Sequence, residues 1–249
     1  MNLSIIFLQM RPHMYQEFHP DYLIEQPWNA VSSLVFFIPV TYWILKLKPN
    51  FRKYPVLTAI LPLLFLNGLG STLFHAFKPN IVFGLLDALP PMIMVIFLSS
   101  YFWRKVTLSW TVGLLIVFGC YVFNFCLMYV LYAVFGFKGA FNVSYLISGL
   151  TLLVPVVMFL IKTRWQRWNL IVLAVTYIGL ALVFRVLDRV VPVYLPALTQ
   201  GTHFLWHIFS AFAVFPLGKF LIHVQDYNFD EDTPSLSQKK QMAVSRVGS

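Results

Sequence analysis

The sequence predicts an all-α membrane protein, a bundle of seven transmembrane helices. Three observations lead to this fold class: 59% of the 249 residues are hydrophobic, only 11% are charged, and the mean hydropathy is +0.75. Such a composition is far too apolar for a water-soluble globule. Apolar runs of about 20 residues, each long enough to cross roughly 30 Å of hydrocarbon, recur along the chain. Helices are the expected spanning elements, because lipid offers the backbone no hydrogen-bond partners.

Seven runs meet this length criterion, and together they form one predicted domain over residues 28–224. The predicted spans are 28–45, 55–77, 81–103, 108–135, 141–161, 170–187 and 202–224. Pro62 and residues 67–70 are expected to loosen or kink the second span. Residues 1–27 are predicted to form an interfacial segment, because their apolar start lacks the basic residues and cleavage site of a signal peptide. Residues 225–249 are polar and are predicted to form a disordered cytoplasmic tail.

The eighteen Lys and Arg residues are unevenly distributed between the two sides of this bundle. Thirteen fall on one side and five on the other. Because positively charged loops stay in the cytoplasm, this bias places the C-terminus in the cytoplasm and the N-terminus outside. The net charge of +9 forms no continuous patch, so contacts to anionic lipid are expected and nucleic-acid binding is not.

Three histidines form the most informative pattern in the sequence. His203 and His207 lie four residues apart at the start of the seventh span, which places both imidazoles on one helical face. His75 lies at the end of the second span. The end of the second span and the start of the seventh share the non-cytoplasmic side, so the three imidazoles are expected at one depth. Three imidazoles with an open fourth position form the ligand set of a catalytic zinc site.

Asp87 and Ser71 are the candidate catalytic residues. Asp87 lies near the start of the third span, on the same side, and an ionisable residue inside an apolar run is costly unless it is paired or functional. Asp87 is suited to hold an activated water and accept its proton, and Ser71 to help stabilise an oxyanion. The alternative for each histidine is a hydrogen-bonded packing role. Asp188, with Arg185 and Arg189, is interpreted as a structural ion pair or a helix-end anchor.

At these positions the sequence resembles the alkaline ceramidase family, within a superfamily of seven-span metal-dependent hydrolases that includes the adiponectin receptor type proteins. The matching stretches are WNAVSSL at 28–34, GLGSTLFH at 68–75, LLDALP at 85–90, LDR at 187–189 and GTHFLWH at 201–207. The resemblance implies zinc bound by His75, His203 and His207. It also implies Asp87 as general base and Ser71 as oxyanion helper. The implied reaction is hydrolysis of the amide of ceramide, or of a related lipid amide, to a sphingoid base and a fatty acid.

The sequence departs from the family pattern in two places. Eukaryotic members carry a calcium site built from acidic residues ahead of the first span. Glu17, Asp21 and Glu25 do not reproduce that spacing, which argues against calcium. Ser33 stands where the usual Trp-Asn-x-x-Ser-Asn element has its second Asn. The missing calcium pattern and the short loops favour a bacterial inner membrane over an ER- or Golgi-type membrane.

Other functions are compatible with the same residues. A phospholipase or another lipid esterase would use the same activated water, since that nucleophile also attacks esters. A receptor-like lipid-binding protein would hold zinc structurally, with a closed fourth coordination position. Proton-coupled transport is less favoured, because the polar residues cluster on one side and form no relay across the bilayer.

Overall fold

The computed structural model describes residues 15–77, 80–188 and 197–227, with side chains throughout except at 134–142 and 145. Most of the predicted interfacial segment and nearly all of the predicted cytoplasmic tail, residues 1–14 and 228–249, lie outside the described residues. Within the described ranges every regular element is a helix. The all-α prediction is confirmed for this part of the chain.

The helices follow the predicted apolar runs closely. They are α1 (Pro27–Ser33), α2 (Phe37–Leu47), α3 (Pro55–Ala76), α4 (Ile81–Thr107), α5 (Trp110–Lys162), α6 (Trp168–Leu187) and α7 (His203–Asp226). A 3-10 turn, Leu34–Phe36, joins α1 to α2. Among the described residues, six stretches are long and apolar enough to cross a membrane: Pro27–Leu47, α3, α4, Trp110–Ala133, α6 and α7. These stretches are compatible with an integral, multi-pass membrane protein.

Local sequence explains where several helices begin. Pro27 and Pro55 each occupy a first-turn position, where the missing N–H costs nothing. Asn80 Oδ1 accepts the Val82 N–H at 2.8 Å and so caps α4. Ser109 takes the same position before α5. These local signals favour helix starts at these positions.

The long helix α5 reverses direction. Asn124 Nδ2 donates to Ser144 Oγ at 3.0 Å and lies 3.5 Å from Ser148 Oγ. In a straight helix, residues 20 positions apart are separated by about 30 Å. The chain therefore folds back between Asn124 and Ser144, although the backbone pattern stays helical throughout. The predicted runs 108–135 and 141–161 correspond to the two arms of this hairpin.

The hydrophobic core lies at the end of the bundle where α5 finishes. Lys162 Nζ donates to the Val106 carbonyl at 2.7 Å, which ties the end of α5 to the end of α4. The rings of Phe102, Phe159 and Phe220 pack with centroids 6.1 to 6.3 Å apart. Aliphatic and aromatic side chains from α2, α3 and α4 surround them. We call this the aromatic end; most of the polar buried residues lie at the opposite end.

Close packing of α3 against α4 depends on Gly70. A Cβ atom at this position would lie 2.6 Å from the Asp87 backbone nitrogen and against the Leu86 carbonyl group. Asn67 Nδ2 adds a 3.1 Å hydrogen bond to the Asp87 carbonyl oxygen. Helix α3 stays continuous through Pro62 and residues 67–70. The glycine thus sets the position of Asp87 relative to the last two turns of α3.

Candidate metal centre

The three predicted histidines meet at the polar end of the bundle. His75 comes from the last turn of α3, and His203 and His207 come from the first two turns of α7. All three are almost fully buried, and one ring nitrogen from each lies within 4.8 Å of the others. The ring centroids are 4.8 to 5.4 Å apart. The sequence prediction that these residues come together is confirmed.

The donor set and its spacing fit a metal ion. Nitrogen atoms bound to one tetrahedral zinc at about 2.0 to 2.1 Å lie about 3.3 Å apart, so small ring rotations close the group around an ion. Imidazole nitrogen suits zinc, copper, iron and nickel. Three buried imidazole rings that converge in this way are able to hold a divalent cation.

Two serines of α1 orient His207. The hydroxyl groups of Ser32 and Ser33 each donate to the Asn29 carbonyl, at 3.0 and 2.8 Å. Each hydroxyl has one proton, so both oxygen atoms are left to accept from His207 Nδ1, at 2.8 and 3.3 Å. The ring therefore carries its proton on Nδ1, which leaves Nε2 as the ligand atom.

Asp188 fixes the start of α7, from which His203 projects. Its Oδ1 accepts the backbone N–H groups of Thr202 and His203 at 2.7 and 2.9 Å, and its Oδ2 accepts that of Gln16 at 3.1 Å. The carboxylate is 2% exposed and lies at a helix N-terminus, where negative charge is favourable. Of the two predicted roles, helix-end anchor describes these contacts. Arg189 lies outside the described residues.

Gly201 is part of the same anchor. Its φ of +61° lies in the left-handed region, and a Cβ atom there would contact the Asp188 carboxylate and lie 2.7 Å from Gln16 Cβ. Both facts require glycine at this position. The turn before His203 is thereby held in a single conformation.

Ser71 connects Asp87 to the three imidazoles. Ser71 is 2% exposed, one turn before His75, and its Oγ is 3.0 Å from Ser33 Oγ. The Ser71 side chain also interacts with the partly buried Asp87 carboxyl group. The chain of contacts thus runs from Asp87 through Ser71 and Ser33 to His207.

The N-terminal segment covers the polar end, and its role was missed from the sequence. The Tyr15 ring packs against His203 and His75, with centroids 4.3 and 5.0 Å apart. Glu17 is fully buried and accepts the backbone N–H groups of Trp28 and Asn29 at 2.8 and 2.9 Å. Burial raises the pKa of the Glu17 carboxyl group above its usual value. In the sequence, only Pro27 indicates that the residue before it has a restricted backbone conformation.

The sequence also gave no indication of a role for Gln26. Its side chain is fully buried, and Oε1 lies 2.6 Å from His75 Nδ1. The backbone N–H of Gln26 donates to the His75 carbonyl at 3.2 Å. A glutamine in front of a proline carries no sequence signal for such a contact, because the contact depends on how α1 meets α3.

In the part of the chain that the structure describes, the regular elements are helices, six stretches are apolar enough to cross a membrane, and three buried histidines form a cluster. Comparison with models of protein families finds none that matches the chain, and comparison with curated proteins finds no significant match. The resemblance to alkaline ceramidases therefore rests on the motif residues quoted above.

Proposed function

We propose that the protein is a membrane-embedded, zinc-dependent hydrolase that cleaves the amide bond of ceramide or a related lipid amide, releasing a sphingoid base and a fatty acid. The observation that carries this proposal is the convergence of three buried imidazoles, to which Ser71 connects a carboxyl group. The motif resemblance supplies the substrate class. Because the site lies in a bundle of apolar helices, a lipid substrate is favoured over a soluble one.

Zinc is the proposed metal because three imidazoles from two helices form a common ligand set of catalytic zinc sites. Zinc in such a site activates water for nucleophilic attack at neutral pH. His75, His203 and His207 would hold the ion. Asp87 would take the proton lost by the attacking water, since it is the carboxyl group connected to the cluster through Ser71.

The single proton of Ser71 has two possible acceptors, Ser33 Oγ and the Asp87 carboxylate. Ser71 would donate to Asp87 while the carboxylate is charged, and would be released when Asp87 gains a proton. The hydroxyl could then donate to an oxyanion on the substrate. This exchange supports the oxyanion role proposed for Ser71.

Seven spans with the N-terminus outside are the proposed topology. The arms of the α5 hairpin would form the fourth and fifth spans, which is supported by the contact between Asn124 and Ser144. The aromatic end carries Arg104, Lys105 and Lys162, so the positive-inside bias favours a cytoplasmic location for that end. The metal centre would then lie near the outer leaflet, in our proposal that of a bacterial inner membrane.

The test combines metal analysis with a lipid-hydrolysis screen on purified protein. Wild-type protein should contain about one zinc per chain and should release fatty acid from ceramide. His203→Ala should lose both properties. His223→Ala is the matched control, because His223 lies on α7 at the opposite end, and it should keep both. Hydrolysis at the normal rate by metal-free His203→Ala protein would rule out the mechanism. Phospholipids in the same screen separate an amidase from an esterase.

A second candidate function is a receptor-like lipid-binding protein with structural zinc. One observation favours it: the Tyr15 ring packs against two of the three imidazoles and so occupies space beside the cluster. This candidate predicts a closed coordination sphere. Cobalt-substituted protein would then show no change in its visible spectrum when a zinc-binding hydroxamate is added, whereas a hydrolase site would respond.

A further inference from the structure

We propose that Gln26 is a positioning residue of the metal centre, which fixes the tautomer and orientation of His75 so that Nε2 is its ligand atom. Gln26 acts through the imidazole and does not touch the metal. The inference rests on the metal-binding part of the proposed function and is independent of the lipid chemistry.

Two backbone hydrogen bonds fix the position of Gln26, although this residue lies outside a helix. The N–H groups of Glu25 and Gln26 donate to the carbonyls of Ala76 and His75, at 3.1 and 3.2 Å. These carbonyls belong to the last turn of α3, where no intrahelical donor is available. Pro27 then starts α1 immediately afterwards. The segment therefore closes the end of the helix that carries His75.

The orientation of the Gln26 amide sets the direction of the hydrogen bond. Gln26 Oε1 lies 2.6 Å from His75 Nδ1, and the same oxygen accepts from Asn29 Nδ2 at 3.2 Å. In this orientation the amide oxygen can only accept, so His75 Nδ1 carries the proton. The lone pair is then on Nε2. This is the arrangement by which partners of a metal-bound histidine usually select its ligand atom.

The acceptor is neutral, and this has a consequence for the metal-free protein. A carboxylate at this position would leave a buried negative charge whenever the metal is absent, at a cost of several kcal/mol. The Gln26 amide adds no charge next to His75. Gln26 thus prepares the ring for metal binding without destabilising the fold before the metal arrives.

The test measures zinc affinity in two variants. Gln26→Leu keeps a similar size but removes the acceptor, and it should bind zinc 10- to 100-fold more weakly than wild type. Gln26→Glu restores an acceptor and should recover most of that loss. Thr151→Val is the control, because it removes a buried hydroxyl that bonds to its own helix at the Ile147 carbonyl. Its zinc affinity should not change.

A second measurement needs no Gln26 variant. In wild-type protein labelled with 15N-histidine, the His75 signals, assigned by their loss in His75→Gln, should be those of the Nδ1–H tautomer in metal-free and zinc-bound protein alike. The Nε2–H tautomer would overturn the proposal, and so would unchanged zinc affinity in Gln26→Leu.

The two proposals fail in different ways. If wild-type protein binds zinc, depends on Gln26 for affinity and hydrolyses no lipid, the proposed function is wrong and this inference stands. If wild-type protein binds zinc and hydrolyses ceramide but Gln26→Leu behaves as wild type, only this inference is wrong. If wild-type protein binds no zinc, both are wrong.

Discussion

Replacing Gly70 with alanine should separate α3 from α4 and move Asp87 away from Ser71. The added Cβ would lie 2.6 Å from the Asp87 nitrogen, whereas ordinary contacts begin at 3.4 Å. The backbones must therefore part by roughly 0.8 Å or more, because closely packed interiors offer no space to absorb the clash. Backbone atoms cannot rotate away as a side chain can.

This displacement should lower both the stability of the protein and its rate of hydrolysis. Overpacking of this kind costs about 1 to 3 kcal/mol, which lowers Tm by about 2 to 12 °C in a chain of this size. A catalytic group misplaced by about 1 Å costs about 100-fold in rate. Gly70→Ala should therefore lose most of its hydrolytic activity at temperatures at which the protein is still folded. Zinc binding should be reduced less, because Asp87 is not one of the three imidazole ligands.

The assay compares thermal unfolding, zinc content and lipid hydrolysis in Gly70→Ala and in Gly179→Ala. Gly179 lies in α6 with nothing within 4 Å of a new Cβ, so its substitution should leave all three properties unchanged. A Gly70→Ala protein with wild-type Tm would refute the packing argument. A destabilised variant with wild-type hydrolysis would instead refute the role of Asp87.

Two further predictions concern carboxylates of the polar end. Asp188→Ala leaves buried N–H groups at the start of α7 without their acceptor. The free energy of unfolding should fall by about 2 kcal/mol, which lowers Tm by about 4 to 8 °C, and zinc binding should weaken. An unchanged Tm would contradict the anchor role. The raised pKa of Glu17 means that the folded chain binds this proton more tightly than the unfolded chain does. The contribution of Glu17 to stability is therefore fully present below pH 4.5, the usual pKa, and is lost as pH rises through the raised pKa. Glu17→Gln should flatten this fall in unfolding curves from pH 4 to 8, and an identical slope would exclude Glu17 as its source.

The sequence was sufficient to predict the three-histidine cluster because each step depends on a periodic rule. The spacing of His203 and His207 follows from the pitch of a helix, and their meeting with His75 follows from counting spans. Four predicted spans, an even number, lie between them and return the chain to the same side. No knowledge of side-chain packing is needed for this.

The contacts that support the cluster were not predictable in the same way. Gln26 and Tyr15 reach the imidazoles from a segment outside the spans, whose path depends on Glu17 and Asp188 accepting particular backbone N–H groups. Gly70 was interpreted as a point of weakness in α3, yet it provides close contact between two backbones. A glycine in a sequence indicates the lack of a side chain but does not say what fills the space.

The hydrogen bond between Gln26 and His75 also constrains biosynthesis. Both partners of this hydrogen bond lie in the first third of the chain, whereas the other two histidines of the cluster are translated more than 120 residues after His75. A growing chain therefore contains both groups of this hydrogen bond early, but the three imidazoles cannot meet until α7 has been made.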